Sequence, residues 1–366
     1  MDKLFLGLSC TPGVGWSTIH KLLSHGMDQE SMGWSQEQWK QHYPFLKDEQ
    51  CNQLSKHVHI DFLEKLLLEL KAKDIYLIPI TDPRYPPMLK EIFDPPWLLF
   101  AKGSISLLSQ PCLSFVGSRK TTKYGIAATV KLVTSLVQQD WCVVSGMALG
   151  IDAVSHRVAL QEKGATIAVL GSGIDIPYPS QHKQLYEQIT QNGLILSEYP
   201  PGVRAHPGFF PKRNRIISGI SYGTVVIEAN KRSGSLITAQ LALEQGREVF
   251  AVPGSIFDQQ SIGTNLLIQQ HGAKLVLEHS DITQEFSHLD LNNDMQGNKK
   301  RLKIEEKVDD IEKRVLAQLA FEKKHVQELC EELELSFSEL SSLLLRLEMK
   351  KLVQALPGSY YQSIGS

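Results

Sequence analysis

CLSFVGSRKTTKYG, residues 112–125, runs from an apolar stretch through a glycine turn and three cations into the start of a helix. Cys112 to Val116 is broken only by Ser114, the pattern of a strand covered on both faces rather than one facing water. A strand that ends in glycine and hands over to a helix is the opening of a βαβ unit. The same order repeats outward. Further strand candidates are 141–146 (WCVVSG), 166–171 (TIAVLG), 194–198 (LILSE), 224–229 (TVVIEA), 248–254 (EVFAVPG) and 274–278 (KLVLE). Helix-length segments lie at 123–139, 150–163, 180–192, 235–246 and 262–271. This alternation predicts an α/β fold, a Rossmann-like doubly wound, mostly parallel sheet, over residues 104–283.

The flanks differ in character. Residues 1–75 read as a helical N-terminal domain. Its Pro12-Gly-Val-Gly15 turn suits either a helix-hairpin-helix loop facing phosphate or a plain capping turn. Residues 76–103 include DPRYPPMLKEIFDPPWLLFAKG, a proline-dense connector expected to pack on the sheet as irregular chain. Residues 284–303 are polar and rich in Asn and Asp, and read as a linker. From 304 to 366, helices at about 306–320, 325–332 and from Ser336 precede a hairpin, VQALPGSYYQ, which together predict a winged helix.

At 366 residues the chain exceeds one ordinary core, and 42% apolar with 21% charged residues fits globular domains rather than disorder. The first apolar run is interrupted by Ser9, Pro12 and Gly13, and no stretch is long enough to span a bilayer, so a cytoplasmic protein without membrane contact is expected. Five cysteines, odd in number and far apart, read as small apolar residues rather than as zinc ligands. No histidine spacing suits a metal, and no cofactor is expected.

The net charge of −2 hides a local concentration. Across 117–123 and 204–232 there are nine basic residues and one acidic residue, Glu228. Open α/β sheets bind ligands beyond the carboxyl ends of their strands. The glycine turns at 116–125, 145–152, 170–175, 228–235 and 252–255 fall on that edge, where outward N–H groups and helix N-termini favour anions. A dinucleotide fingerprint is incomplete, with Ile176 in place of the third glycine after Gly171-Ser-Gly173, and no P-loop occurs. Phosphates in series suit a wide basic edge better than one pyrophosphate does. Phe209 and Phe210 offer either base stacking or core packing.

Catalytic signals are weaker. Ser145, Ser172, Ser197 and Ser233 lie in no nucleophile elbow. Asp152 and His156 share an i, i+4 face, where Asp152 reads as a first-turn acid. An enzyme acting on a nucleotide-like small molecule is the alternative, with Asp152 or Glu228 as acid or base. The winged-helix segment holds twelve acidic against eight basic residues, and its third helix carries Glu339 and Glu348 with Arg346 as the only cation before Lys350. That balance favours protein contact over duplex reading and leaves both open.

Val116-Gly-Ser-Arg119 with Thr122 and Tyr124-Gly125, then SGMALGID, AVLGSGIDIPYP, FPKRNRIISG, SGSLITA and VFAVPG in this order, resemble the DprA/Smf family of DNA-processing proteins. The resemblance implies a protein without enzymatic activity that binds and protects incoming single-stranded DNA during natural transformation. It further implies loading of the RecA recombinase and a homodimer formed through the Rossmann-like domain. Gly117, Ser118 and Arg119 match the family's phosphate-gripping loop, and Phe210, Lys212, Arg213, Asn214 and Arg215 match its FPxRNR segment. Lys120 and the turn Ser233, Gly234 and Ser235 complete the expected DNA-contacting set. Val154-Ser155-His156 replaces the family's Ala-His, and Ala-Asn follows Glu228, which touches the detail of the pocket and no cation.

Overall fold

A computed structural model of the chain describes residues 2–287 and, within 314–363, all but 316, 317, 320–322, 334, 350–352 and 357. The chain divides into two compact units, Met1–His288 and Leu289–Ser366. The first begins with five helices: α1 (Asp2–Cys10), α2 (Trp16–Ser24), α3 (Gln36–His42), α4 (Asp48–His57) and α5 (Ile60–Ala72). Gly15 is the N-cap of α2, with no side-chain capping bond.

Nine strands follow: β1 (Tyr76–Pro79), β2 (Leu98–Gly103), β3 (Cys112–Val116), β4 (Cys142–Ser145), β5 (Thr166–Leu170), β6 (Leu194–Ser197), β7 (Gly223–Val226), β8 (Glu248–Ala251) and β9 (Lys274–Leu275). They form one sheet in the order β1-β2-β6-β5-β4-β3-β7-β8-β9. The pairs from β6 to β9 are parallel, and β2 joins β6 antiparallel, as β1 joins β2. The proline-dense connector is therefore not irregular throughout, because it supplies two strands. Its prolines fall between those strands, apart from Pro79, which ends the edge strand β1 where a missing N–H is tolerated.

The helices are α6 (Pro87–Lys90), α7 (Lys123–Val137), α8 (Ile151–Gln161), α9 (Lys183–Asn192), α10 (Phe209–Gly219), α11 (Gly234–Glu244), α12 (Ile262–Gln269) and α13 (Ser280–Thr283). α7 packs on α8 and α8 on α9, while α10 packs on α11. Right-handed crossovers put the two groups on opposite faces of the sheet. Strands β3 to β7 are buried along their whole length, as their nearly continuous apolar sequence requires. One core cluster joins Phe5, Leu6, Leu63 and Leu70 of the N-terminal helices to Phe100, Ala168 and Leu170 of the sheet. Trp16 stacks on Trp97 at 5.8 Å, and its indole N–H donates to Pro95 O at 2.7 Å.

The ordered sheet unit runs past residue 283. Phe286 is 5% exposed and packs its ring on Trp141, Tyr222 and Phe250, so residues 284–287, expected in the linker, belong to the packed sheet unit. The expected linker beyond 287 lies outside the described residues, as does most of the expected helix 306–320. In the second unit, helices Val326–Leu333 and Phe337–Met349 and a three-stranded antiparallel sheet enclose Leu329, Leu340, Leu344 and Val353.

Candidate nucleic-acid interface

From β3 the chain moves sideways to β4, β5 and β6, and α10 then returns it across the sheet to β7 on the other side of β3. The loops leaving β3 and β7 diverge at this switch point, where open α/β sheets leave a crevice. A groove of about 830 Å³ lies there. Its walls include Gly117, Ser118, Arg119 and Lys120 after β3, Phe210, Arg213 and Asn214 of α10, and Ser233, Gly234 and Ser235 at the start of α11. Lys212 and Arg215 are not among the lining residues.

The loops are shaped by side chains that the sequence motifs carry. Ser118 Oγ accepts from the Lys120 N–H at 3.0 Å and donates to Lys120 O at 2.9 Å, closing a turn that leaves the side chains of Arg119 and Lys120 exposed. Gly150 has φ +84°, and a Cβ there would lie 2.1 Å from Ser118 O, so only glycine lets the loops after β3 and β4 touch. Ser233 caps α11 by accepting from the Ser235 N–H.

Both carboxylates that an enzymatic reading needs hold backbone instead. Glu228 is buried and accepts from the Thr122 N–H at 3.1 Å and from the Thr122 hydroxyl, bracing the N-terminus of α7. Asp152 accepts from the N–H groups of Gly146 and Ala148 at 3.1 and 3.3 Å. Burial raises its pKa, and the neighbouring Arg213 opposes that rise. His156 does not join Asp152 in a dyad. It is buried with Nδ1 2.7 Å from Thr166 Oγ1, and burial, reinforced by nearby cations, pushes its pKa down to about 3.

The FPKRNR segment forms the first turns of α10, and helical geometry sorts its residues. Positions three and four apart share a face, so Phe210, Arg213 and Asn214 line the groove while Lys212 and Arg215 turn elsewhere. Lys212 is exposed. Arg215, 6% exposed, donates to Glu198 at 3.0 and 2.7 Å and pairs with Asp94 at 3.0 Å. Arg213, 5% exposed, donates through Nη1 to Gly146 O at 2.6 Å and to Val169 O, tying the ends of β4 and β5 to α10. Burial lowers its pKa to about 10, which leaves it cationic at neutral pH. A Cβ at residue 146 would lie 2.4 Å from that guanidinium, so Gly146 makes room for it. Both arginines, expected as phosphate contacts, are engaged by protein acceptors, and of the two only Arg213 lines the groove.

Arg119, in the groove wall, is exposed. Its guanidinium carbon lies 6.0 Å from the ring centroid of Phe210, which packs on Tyr178 at 5.2 Å. Phe209 instead stacks on Tyr199 at 4.2 Å, so the two adjacent aromatics divide between groove and packing. Tyr178 and Arg232 also line the groove and were not in the expected set; their signals were the IPYP end of one motif and the basic run before Ser233. The lining carries Arg119, Lys120, Arg213 and Arg232 against one carboxylate, Asp152. Among the described residues no cluster of three metal-ligating side chains occurs, and no helix is long and apolar enough to cross a membrane.

Comparison with known proteins agrees with the motif order. A family model described as DNA recombination-mediator protein A matches residues 76–287, and one described as DprA winged helix domain matches 302–359. The DNA processing protein DprA of Bacillus subtilis is 45% identical over 224 residues, 61% of this chain and 75% of the relative. Protein Smf of Synechocystis is 35% identical over 329 residues, 81% of this chain and 82% of the relative. The X-ray structure of DNA processing protein A from Streptococcus pneumoniae superposes with a TM-score of 0.58 at 37% identity, covering 75% of this chain and 99% of that one. A solved structure of DNA processing protein A from Helicobacter pylori, described for its single-stranded DNA binding mode, gives a TM-score of 0.53 at 29% identity, covering 58% of this chain and 95% of that one. With its sheet unit and its winged helix both matched, the chain belongs to the DprA family of DNA recombination-mediator proteins.

Proposed function

We propose that the groove at the β3–β7 switch point binds single-stranded DNA without altering it. The chain would then act as a cytoplasmic recombination mediator that protects an incoming strand and delivers it to the RecA recombinase during natural transformation, working as a homodimer. The observation that carries the reading is the exposed Arg119 guanidinium set over the Phe210 ring, itself packed on Tyr178, in a groove that the N-terminus of α11 also lines. A cation and a helix N-terminus attract phosphate, and partly exposed rings offer a face to unstacked bases, the combination that single-strand binders use. The Helicobacter pylori relative's single-stranded DNA binding supports it. The engagement of Asp152 and Glu228 with backbone N–H groups supports binding over catalysis. The acidic winged helix is assigned to protein contact.

The test is a salt titration of binding to single- and double-stranded oligonucleotides of equal length. Single-strand preference, with affinity falling steeply as salt rises, is expected. Arg119→Ala weakens binding and lowers the salt slope by about one released ion. Duplex preference, or unchanged affinity in Arg119→Ala, overturns the reading.

A further inference from the structure

The loop after β8 ends in water on two apolar side chains, Ile256 at 79% and Phe257 at 93% exposure. Each forgoes the free energy that burial would give, so adjacent exposure at one apex calls for a use. The loop is a built turn. The Gly254 N–H donates to Asn265 Oδ1 at 3.1 Å, and Asn265 Nδ2 donates back to Gly254 O at 3.0 Å. The Phe257 N–H donates to Ser255 Oγ at 3.2 Å, and Asp258 Oδ1 accepts from the Gln260 N–H at 2.9 Å.

The same turn is fastened to the groove from two sides. Gln260 lines the groove, and the Ala229 N–H donates to Gln260 O at 2.7 Å. The Tyr124 hydroxyl, from the first turn of α7, donates to Pro253 O at 2.6 Å. The segments that fasten it carry the exposed cations Lys123, Lys231 and Arg232. β8 neighbours β7, so the apex stands on the sheet edge that carries the groove, one strand beyond the switch point.

We propose that Phe257 is a second base-stacking platform, which takes a nucleobase of the same single strand after it leaves the groove across the Lys123 and Arg232 side. The inference rests on the DNA-binding reading of the groove. An aromatic face accepts any base, and a turn already held by its own hydrogen bonds loses little conformational freedom when a base docks.

The experiment measures affinities of the full chain for two deoxythymidine oligonucleotides, one of about 5 nucleotides that fills the groove and one about three times longer. Phe257→Ala is expected to weaken the longer oligonucleotide by about 5-fold or more, the loss of one stacked base, and to leave the shorter unchanged. The salt slope stays the same, because no phosphate contact is removed. Phe257→Trp restores the affinity, and a longer strand carrying photoreactive iododeoxyuridine crosslinks to the peptide that holds residue 257. No loss at either length, an equal loss at both, or a loss that tracks a change in molar mass overturns the proposal; the last would make the apex a contact between chains. Arg119→Ala is run alongside. If it leaves both affinities intact, the groove reading fails, whatever Phe257→Ala does.

Discussion

Arg213→Ala separates a residue that builds the groove from one that uses it. The guanidinium is 5% exposed, donates to the carbonyls of Gly146 and Val169, and opposes the effect of burial on Asp152. Removing it leaves a buried carboxylate without its cation and two carbonyls without a donor. Each orphaned buried carbonyl costs about 1–3 kcal/mol, and the buried Asp152 carboxylate loses a favourable neighbouring charge besides. About 4 kcal/mol is a conservative sum after relaxation, a large share of the roughly 5–15 kcal/mol that holds a domain folded. Urea unfolding followed by tryptophan fluorescence reads it directly. With a slope of about 3 kcal/mol per molar, the midpoint falls by more than about 1 M. Arg119→Ala, at an exposed position, unfolds like the parent. An Arg213→Ala chain within about 0.5 kcal/mol of the parent that fails only in DNA affinity would refute the assignment and make Arg213 a phosphate contact.

His156 predicts a pH signature. Its folded pKa of about 3 lies below the ordinary 6.5, so between these values the unfolded chain binds a proton that the folded chain refuses, and stability falls as pH drops below 6.5. By pH 5 the loss is about 2 kcal/mol, and His156→Gln lacks that increment when unfolding free energies at pH 7.5 and 5 are compared. Phe286→Ala costs about 3–5 kcal/mol because the ring closes an aromatic cluster with Trp141, Tyr222 and Phe250. A sheet unit cut after Thr283 shows the same loss in a thermal melt, and one cut after His288 does not.

The parallel strands were legible because burial on both faces writes them as unbroken apolar runs, and the glycine turns marked the sheet edge that holds the groove. β1 and β2 were hidden by the prolines between them. α10 escapes a periodicity reading for a different reason: its buried residues include Arg213 and Arg215, so its inner face does not look apolar. The same residues misled the charge count. Arg215 is answered by Glu198, 17 residues back, and by Asp94, 121 residues back, and a window of sequence cannot show neutralisation at that distance. Arg119 and Phe210 both line the groove, and each sits in a short motif whose local geometry fixes it.

The return of the chain through α10 makes occupancy of the groove a reporter of completed folding. Leu113 of β3 pairs with Gly223 of β7 across all the strands and helices that lie between them in sequence, and α10 lines the groove on that return. A partly assembled sheet has no switch point and nothing for a strand to grip. Pairings this remote in sequence form slowly, because loop-closure entropy is lost before the contacts repay it. A ligand that recognises only the finished groove withdraws folded chains from the equilibrium, adding about 2.7 kcal/mol at a hundredfold excess over its dissociation constant. On the proposed function, the nucleic acid thereby becomes part of what keeps its own receptor folded.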